Sequence, residues 1–198
     1  MRGLDGVLPE GVLVIGIETA LAMRRETVRE HVREIAKQIL ASVLSCAPGA
    51  VKLDAQPGQR LRLAAPDHAL SLSLSHAPGL SLLAISLDAQ VGIDLMLLEP
   101  GFGWAKEHAQ VARDYLGPAS FRHIDALPPE QQQHGFAKAW TAFEAGLKLH
   151  GRPMQEWDVT LQEQVTQTRL IVLDLPAGMV GSLASFSKQT SNMPGPRF

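Results

Sequence analysis

Cysteine is almost absent from this chain. Cys46 stands alone among 198 residues, which excludes a disulfide framework and any metal site built from several thiolates. Its apolar neighbours mark it as a packed, inert thiol. An excess of one charge sign is missing as well. Eighteen basic against 20 acidic side chains leave a formal −2, which excludes a surface built to coat nucleic acid. Apolar runs of membrane-spanning length are also missing. The apolar stretch 11–17 is short and follows Asp5, Pro9 and Glu10, so it reads as a strand and not as a signal segment. The expected setting is cytoplasmic, with no membrane partner. What the chain does have is 45% hydrophobic residues, enough for one good-sized core or two small ones.

The patterning predicts a mixed α+β protein. Residues 12–17 form a first strand. Over 21–44, Val28, Val32, Ile35, Ala36, Ile39, Leu40, Val43 and Leu44 recur at helical spacing, opposite a polar face carrying Arg24, Arg25, Arg29, Arg33 and Lys37. Leu and Ser then alternate strictly over 69–76, which predicts a strand with one buried and one polar face. Strands over 80–87 and 91–95 follow across short turns, so the three read as an antiparallel meander. Glu99-Pro100-Gly101-Phe102-Gly103 breaks the pattern. Beyond it lie helices over 104–116 and 130–150, the second stopped by Gly151 and Pro153. Strand candidates occupy 157–162, 169–175 and 179–186. The expected architecture is two similar lobes, 1–98 and 99–190, each a helix packed on a small antiparallel three-stranded sheet, with the active cleft between them. Residues 191–198 form a Pro/Gly-rich tail.

Three places hold polar groups that a core does not need. Ser75-His76 ends the alternating strand, where it either presents a hydroxyl and an imidazole to an anion or rests on a solvated rim. In Val91-Gly92-Ile93-Asp94-Leu95, Asp94 shares a face with Gly92 and Met96. An acid inside an apolar run is costly to bury unpaired, and Gly92 leaves room for something to approach. Trp140, Glu144 and Lys148 are spaced by four and line one side of a helix, where the Glu–Lys pair is either part of a site or a surface bridge. Two carboxylates from different halves can share a hard cation such as Mg²⁺, which prefers oxygen ligands and keeps water and phosphate oxygens in its shell.

Ser75-His76, then Val91-Gly92-Ile93-Asp94, then Trp140-x-x-x-Glu144-Ala145-x-x-Lys148-x-x-Gly151 resembles the ordered signature of the 4′-phosphopantetheinyl transferases. The spacing is closer to the two-lobed, single-chain (surfactin-synthetase-activating) type than to the short trimeric holo-acyl-carrier-protein synthases. The resemblance implies Mg²⁺ on Asp94 and Glu144, with coenzyme A as co-substrate. It implies Lys148 near the coenzyme diphosphate, and Ser75 and His76 at its 3′-phosphate end. Arg24 and Arg33 stand where such proteins carry upstream basic residues, and Arg60, in Gly58-Gln59-Arg60, replaces the lysine of a Gly-Lys-Pro motif. Asp94, Glu144 and Lys148 are then the catalytic set. The implied acceptor is a serine of an apo acyl or peptidyl carrier protein, docked on the stretch 104–123 with Lys106, Arg113, Tyr115, Phe121 and Arg122, and the implied state is a monomer. Met96 stands where a second acid is common, and Phe143 where a lysine is common. The alternative is a non-catalytic coenzyme A or carrier-binding module of the same fold.

Overall fold

The computed structural model describes residues 2–3, 8–54, 61–98, 106–166 and 168–187. The expected boundary at 99–103, Arg60 and its loop, Trp104 and the tail 191–198 lie outside the described residues. The chain runs through strands β1 (Arg2–Gly3) and β2 (Val12–Glu18), helix α1 (Arg25–Val43), and strands β3 (Lys52–Asp54), β4 (Arg62–Ala65), β5 (Ser71–Ala77), β6 (Leu80–Ser86) and β7 (Ala89–Leu97). Helix α2 (Lys106–Val111) leads through a π-helical turn (Ala112–Leu116) into α3 (Gly117–Asp125). Helices α4 (Pro129–His150) and α5 (Val159–Thr166) follow, then β8 (Arg169–Val172) and β9 (Met179–Ser187).

The strands form three antiparallel sheets, ordered β1-β2-β6-β5, β3-β4 and β7-β9-β8. Strand alternation then builds layers. Ile15 and Ile17 of β2, with Leu72, Leu83 and Ile85, pack against the apolar stripe Val28, Val32, Ala36, Ile39 and Leu40 of α1. The opposite face of that sheet, carrying Val12, Val14, Leu80, Leu82 and Ala84, meets Val91, Ile93 and Leu95 of β7 and Leu183 of β9. On the far side of β7 and β9, Ala145 and Leu149 of α4 pack on Ala184. The result is a helix, two facing sheets and a second helix, with small residues where α4 comes closest. A Cβ at Gly92 would collide with the backbone of Ala145 and Leu149. The approach that Gly92 permits is therefore that of α4 itself.

Five expectations change. Helix α1 begins four residues after position 21, because the Met23 N–H closes a turn onto the Ala20 carbonyl and Arg24 is extended at the N-cap. The meander ends after β6. Strand β7 leaves to pair along its length with β9, Ala89 opposite Ser187 through Leu97 opposite Met179. A period of two assigns faces but not partners. The serine face of β5 is not solvated: Ser71, Ser73 and Ser75 are all buried. Their hydroxyls accept the N–H groups of Val91, Ile93 and Leu95 at 2.9, 3.0 and 3.2 Å, doing for one edge of β7 what a neighbouring strand would do.

The strand expected over 157–162 is instead the start of α5, where the Asp158 carboxylate accepts the Leu161 N–H at 2.8 Å. That is N-cap chemistry at a residue the apolar pattern obscured. The helix expected over 104–116 is α-helical only as α2 and becomes π-helical at Ala112. Helix α4 matches its expected span closely. It starts on Pro129 at N1 and stops at left-handed Gly151, with the Arg152 N–H returning to the Leu147 carbonyl. Among the described residues no helix is long and apolar enough to cross a membrane.

Candidate functional site

Asp94 lies on the face of β7 that α4 covers, and only 5% of its surface is exposed. A carboxylate buried there needs partners, and two converge on its Oδ1. The Ser75 hydroxyl donates at 2.7 Å and the Lys148 ammonium at 2.5 Å. The same ammonium donates to the Ile93 carbonyl at 3.1 Å and to Ser75 Oγ at 3.3 Å, so its three protons are all engaged. Glu144, one turn back on α4, places Oε2 3.9 Å from Lys148 Nζ. One turn further back, the Trp140 side chain hydrogen-bonds the Glu144 carboxylate. Trp140 is held in turn by the rings of Tyr115, Phe136 and Phe143.

These neighbours tune the acid. Burial raises the Glu144 pKa above the usual carboxylate range, and the Asp94 charge raises it further; Lys148 and the Trp140 bond pull the other way. Glu144 is half-buried. The Glu–Lys pair is thus not an exposed helix bridge, because Lys148 reaches across to the sheet.

His76 belongs to the opposite face of β5. Its Nδ1 lies 2.8 Å from Ser81 Oγ, and its pKa is lowered to about 4 by burial first, then by Arg29, Lys148, Arg25 and Arg33. The ring is neutral near pH 7. In the tautomer whose Nδ1 accepts the Ser81 proton, Nε2–H is left as a donor. Arg25, Arg29 and Arg33 follow one another at helical spacing along α1, the first two exposed and the third half-buried. Arg24, at the N-cap, is not among the arginines that act on His76. Arg60 lies outside the described residues.

The structure therefore brings Ser75, Asp94, Glu144 and Lys148 together, and sets His76 where the charges of Arg29, Lys148, Arg25 and Arg33 reach it. Sequence reasoning placed Arg25 and Arg29 on the polar face of α1 with Arg24 and Arg33, but singled out only Arg24 and Arg33 as phosphate contacts. It also missed Trp140 as a partner of Glu144. Met96 and Phe143 both pack against the apolar cluster around Phe136, Leu147 and Leu161, so these two positions serve the core beneath α4. A hollow of about 330 Å³ bounded by Leu21, Leu80, Pro176 and Met179 is lined by none of the paired groups.

Among the described residues no group of three or more His, Cys, Asp or Glu side chains could hold a metal ion. Two carboxylates remain, and they fit a hard divalent cation. The Ser75 and Lys148 bonds to Asp94 both fall on Oδ1, which leaves Oδ2 clear of donors among the described residues. The Asp94 charge also raises the Glu144 pKa, and a cation with water and phosphate oxygens in its shell would relieve that repulsion.

The chain is 33% identical over 125 residues to the 4′-phosphopantetheinyl transferase HetI of Nostoc sp., covering 60% of this chain and 49% of that protein. It is 24% identical over 115 residues to slr0495 of Synechocystis sp., a protein provisionally given the same activity, covering 58% of this chain and 45% of that one. The chain thus spans about half the length of the curated relatives it matches. No family model matches the chain.

Proposed function

We propose that this chain is a 4′-phosphopantetheinyl transferase that moves the phosphopantetheine arm of coenzyme A to a serine of an apo acyl or peptidyl carrier protein. The observation that carries the reading is the meeting of Asp94 and Lys148, 54 positions apart in sequence, beside Glu144 at the β7–α4 contact. Similarity to two proteins bearing this activity in their names supports it. In the proposed reaction the serine oxygen forms a bond to the phosphorus that bears the pantetheine arm. The bond from that phosphorus to the bridging oxygen breaks, and adenosine 3′,5′-bisphosphate leaves with the electron pair.

The chain's own groups divide the work. Glu144, its basicity raised by burial and by Asp94, takes the serine proton. Lys148 holds positive charge where the leaving oxygen develops negative charge. His76 donates from a neutral ring to the 3′-phosphate, with Arg25, Arg29 and Arg33 supplying the charge. Arg24 and Arg60 are further phosphate contacts in this reading. Asp94 and Glu144 would hold Mg²⁺, which offsets charge on the diphosphate when bound. The surrounding fold is read as two lobes, 1–98 and 99–190, with the site at their seam, in a cytoplasmic monomer.

Carrier docking falls to the π-helical turn and α3. There Arg113 lies over the Phe121 ring at 4.2 Å and Arg122 is exposed, next to Tyr115, which touches Trp140. A basic and aromatic surface suits an acidic carrier. The test is intact-mass analysis of several apo-carriers after incubation with the protein, coenzyme A and Mg²⁺. One phosphopantetheine added to a carrier is the expected result; no addition to any carrier overturns the proposal. A thermal shift with coenzyme A but no transfer would identify a binding module instead.

A further inference from the structure

We infer that Ser75 is a positioning residue for the Asp94–Lys148 pair and not a ligand of the coenzyme's 3′-phosphate. The inference rests on the transferase reading. A hydroxyl has one proton to donate and two lone pairs to accept with, and at Ser75 all three are used. The proton goes to Asp94 Oδ1 at 2.7 Å, and the lone pairs take the Leu95 N–H at 3.2 Å and the Lys148 ammonium at 3.3 Å. The side chain is 5% exposed, so an incoming phosphate would find no vacant valence there.

Strand geometry makes the same point. Adjacent residues of β5 point to opposite faces. His76 therefore faces Ser81 and the arginines of α1, while Ser75 faces β7 and α4. The two neighbours in sequence serve different parts of the site. Ser75 turns Asp94 Oδ1 toward Lys148 and leaves Oδ2 for a cation. Through the Leu95 N–H it also ties that carboxylate to the register between β5 and β7.

The serine ladder contains its own controls. Ser71 and Ser73 accept the Val91 and Ile93 N–H groups as Ser75 accepts that of Leu95, and Ser75 adds to this a bond to Asp94. Ser71→Ala, Ser73→Ala and Ser75→Ala thus each lose one such bond, and only Ser75→Ala releases the carboxylate. Mg²⁺ affinity is read by titration calorimetry on the full chain, together with kcat and the KM for coenzyme A. Ser75→Ala should weaken Mg²⁺ binding about 10-fold or more and lower kcat, with the KM for coenzyme A unchanged. Ser71→Ala and Ser73→Ala should keep the wild-type Mg²⁺ affinity. If Ser75→Ala does not fold, Ser75→Cys keeps the shape, weakens the bond and should shift Mg²⁺ affinity in the same direction.

Wild-type Mg²⁺ affinity in the Ser75 variant with a raised KM for coenzyme A would make Ser75 a phosphate ligand and overturn the inference. Equal loss of affinity in Ser71→Ala would make its role general to the ladder and overturn it too. A wild type that neither binds Mg²⁺ nor modifies a carrier overturns the transferase reading by itself. Positioning is then decided by the Lys148 ammonium signal in ¹H–¹⁵N spectra. That signal should be held in wild type and Ser71→Ala and lost to exchange in Ser75→Ala; its persistence there overturns the inference.

Discussion

Lys148 bonds Asp94 at 2.5 Å across the β7–α4 contact, although Glu144 lies one turn away on the same helix at 3.9 Å. The carboxylate on the strand is the more deeply buried of the two, with side-chain exposures of 7% against 25%. Charges attract more strongly where water is excluded, and the Ile93 carbonyl and Ser75 hydroxyl complete the ammonium's set.

Removing one side of this pair should cost stability. Asp94→Ala leaves the half-buried ammonium of Lys148 facing a carbonyl and a hydroxyl, at roughly 1–3 kcal/mol. Urea unfolding should show a lower midpoint, and carrier modification should fall at least 100-fold. A variant that transfers at the wild-type rate would remove Asp94 from the chemistry.

Gly92→Ala is expected to be worse than its size suggests. The added Cβ would strike the backbone of Ala145 and Leu149, so α4 must lift from β7. Overpacking of this kind costs about 1–3 kcal/mol or more, and it would separate Lys148 from Asp94. Denaturation midpoint and transfer rate should fall together; loss of neither would show that α4 yields easily here.

Trp140→Phe keeps the ring contacts and deletes the bond to Glu144. That bond lowers the Glu144 pKa, so its loss raises the pKa further. The acid limb of the kcat profile should move to higher pH. An unmoved limb would mean that another group sets it.

His76 has a folded pKa of about 4 against 6.5 for an ordinary histidine. Below 6.5 the unfolded chain takes up this proton and the folded one does not, so folding weakens as pH falls toward 4. The contribution is complete above about 6.5. Thermal melts should show wild type losing more stability than His76→Gln between pH 6.5 and 4. Parallel curves would mean that His76 titrates normally in the fold.

Much of this was legible along the chain. The apolar stripe of α1, the Pro129 and Gly151 ends of α4 and the spacing of Trp140, Glu144 and Lys148 are local properties, set by helix periodicity and capping within a few residues. The α5 cap at Asp158 was equally local but was masked by a stretch that also alternates. Asp94 stood out because a lone acid in an apolar strand calls for a partner.

Position along the sequence determined that Ser75 and His76 face opposite ways, that Asp94 shares a side with Gly92, and that Glu144 and Lys148 share one face of a helix, since strand and helix repeats are properties of the backbone itself. Tertiary structure alone decided that β7 joins β9, that the serines of β5 cap its other edge, and that Lys148 leaves Glu144 for Asp94. Those choices depend on which surfaces exclude water from one another, and no local repeat encodes that.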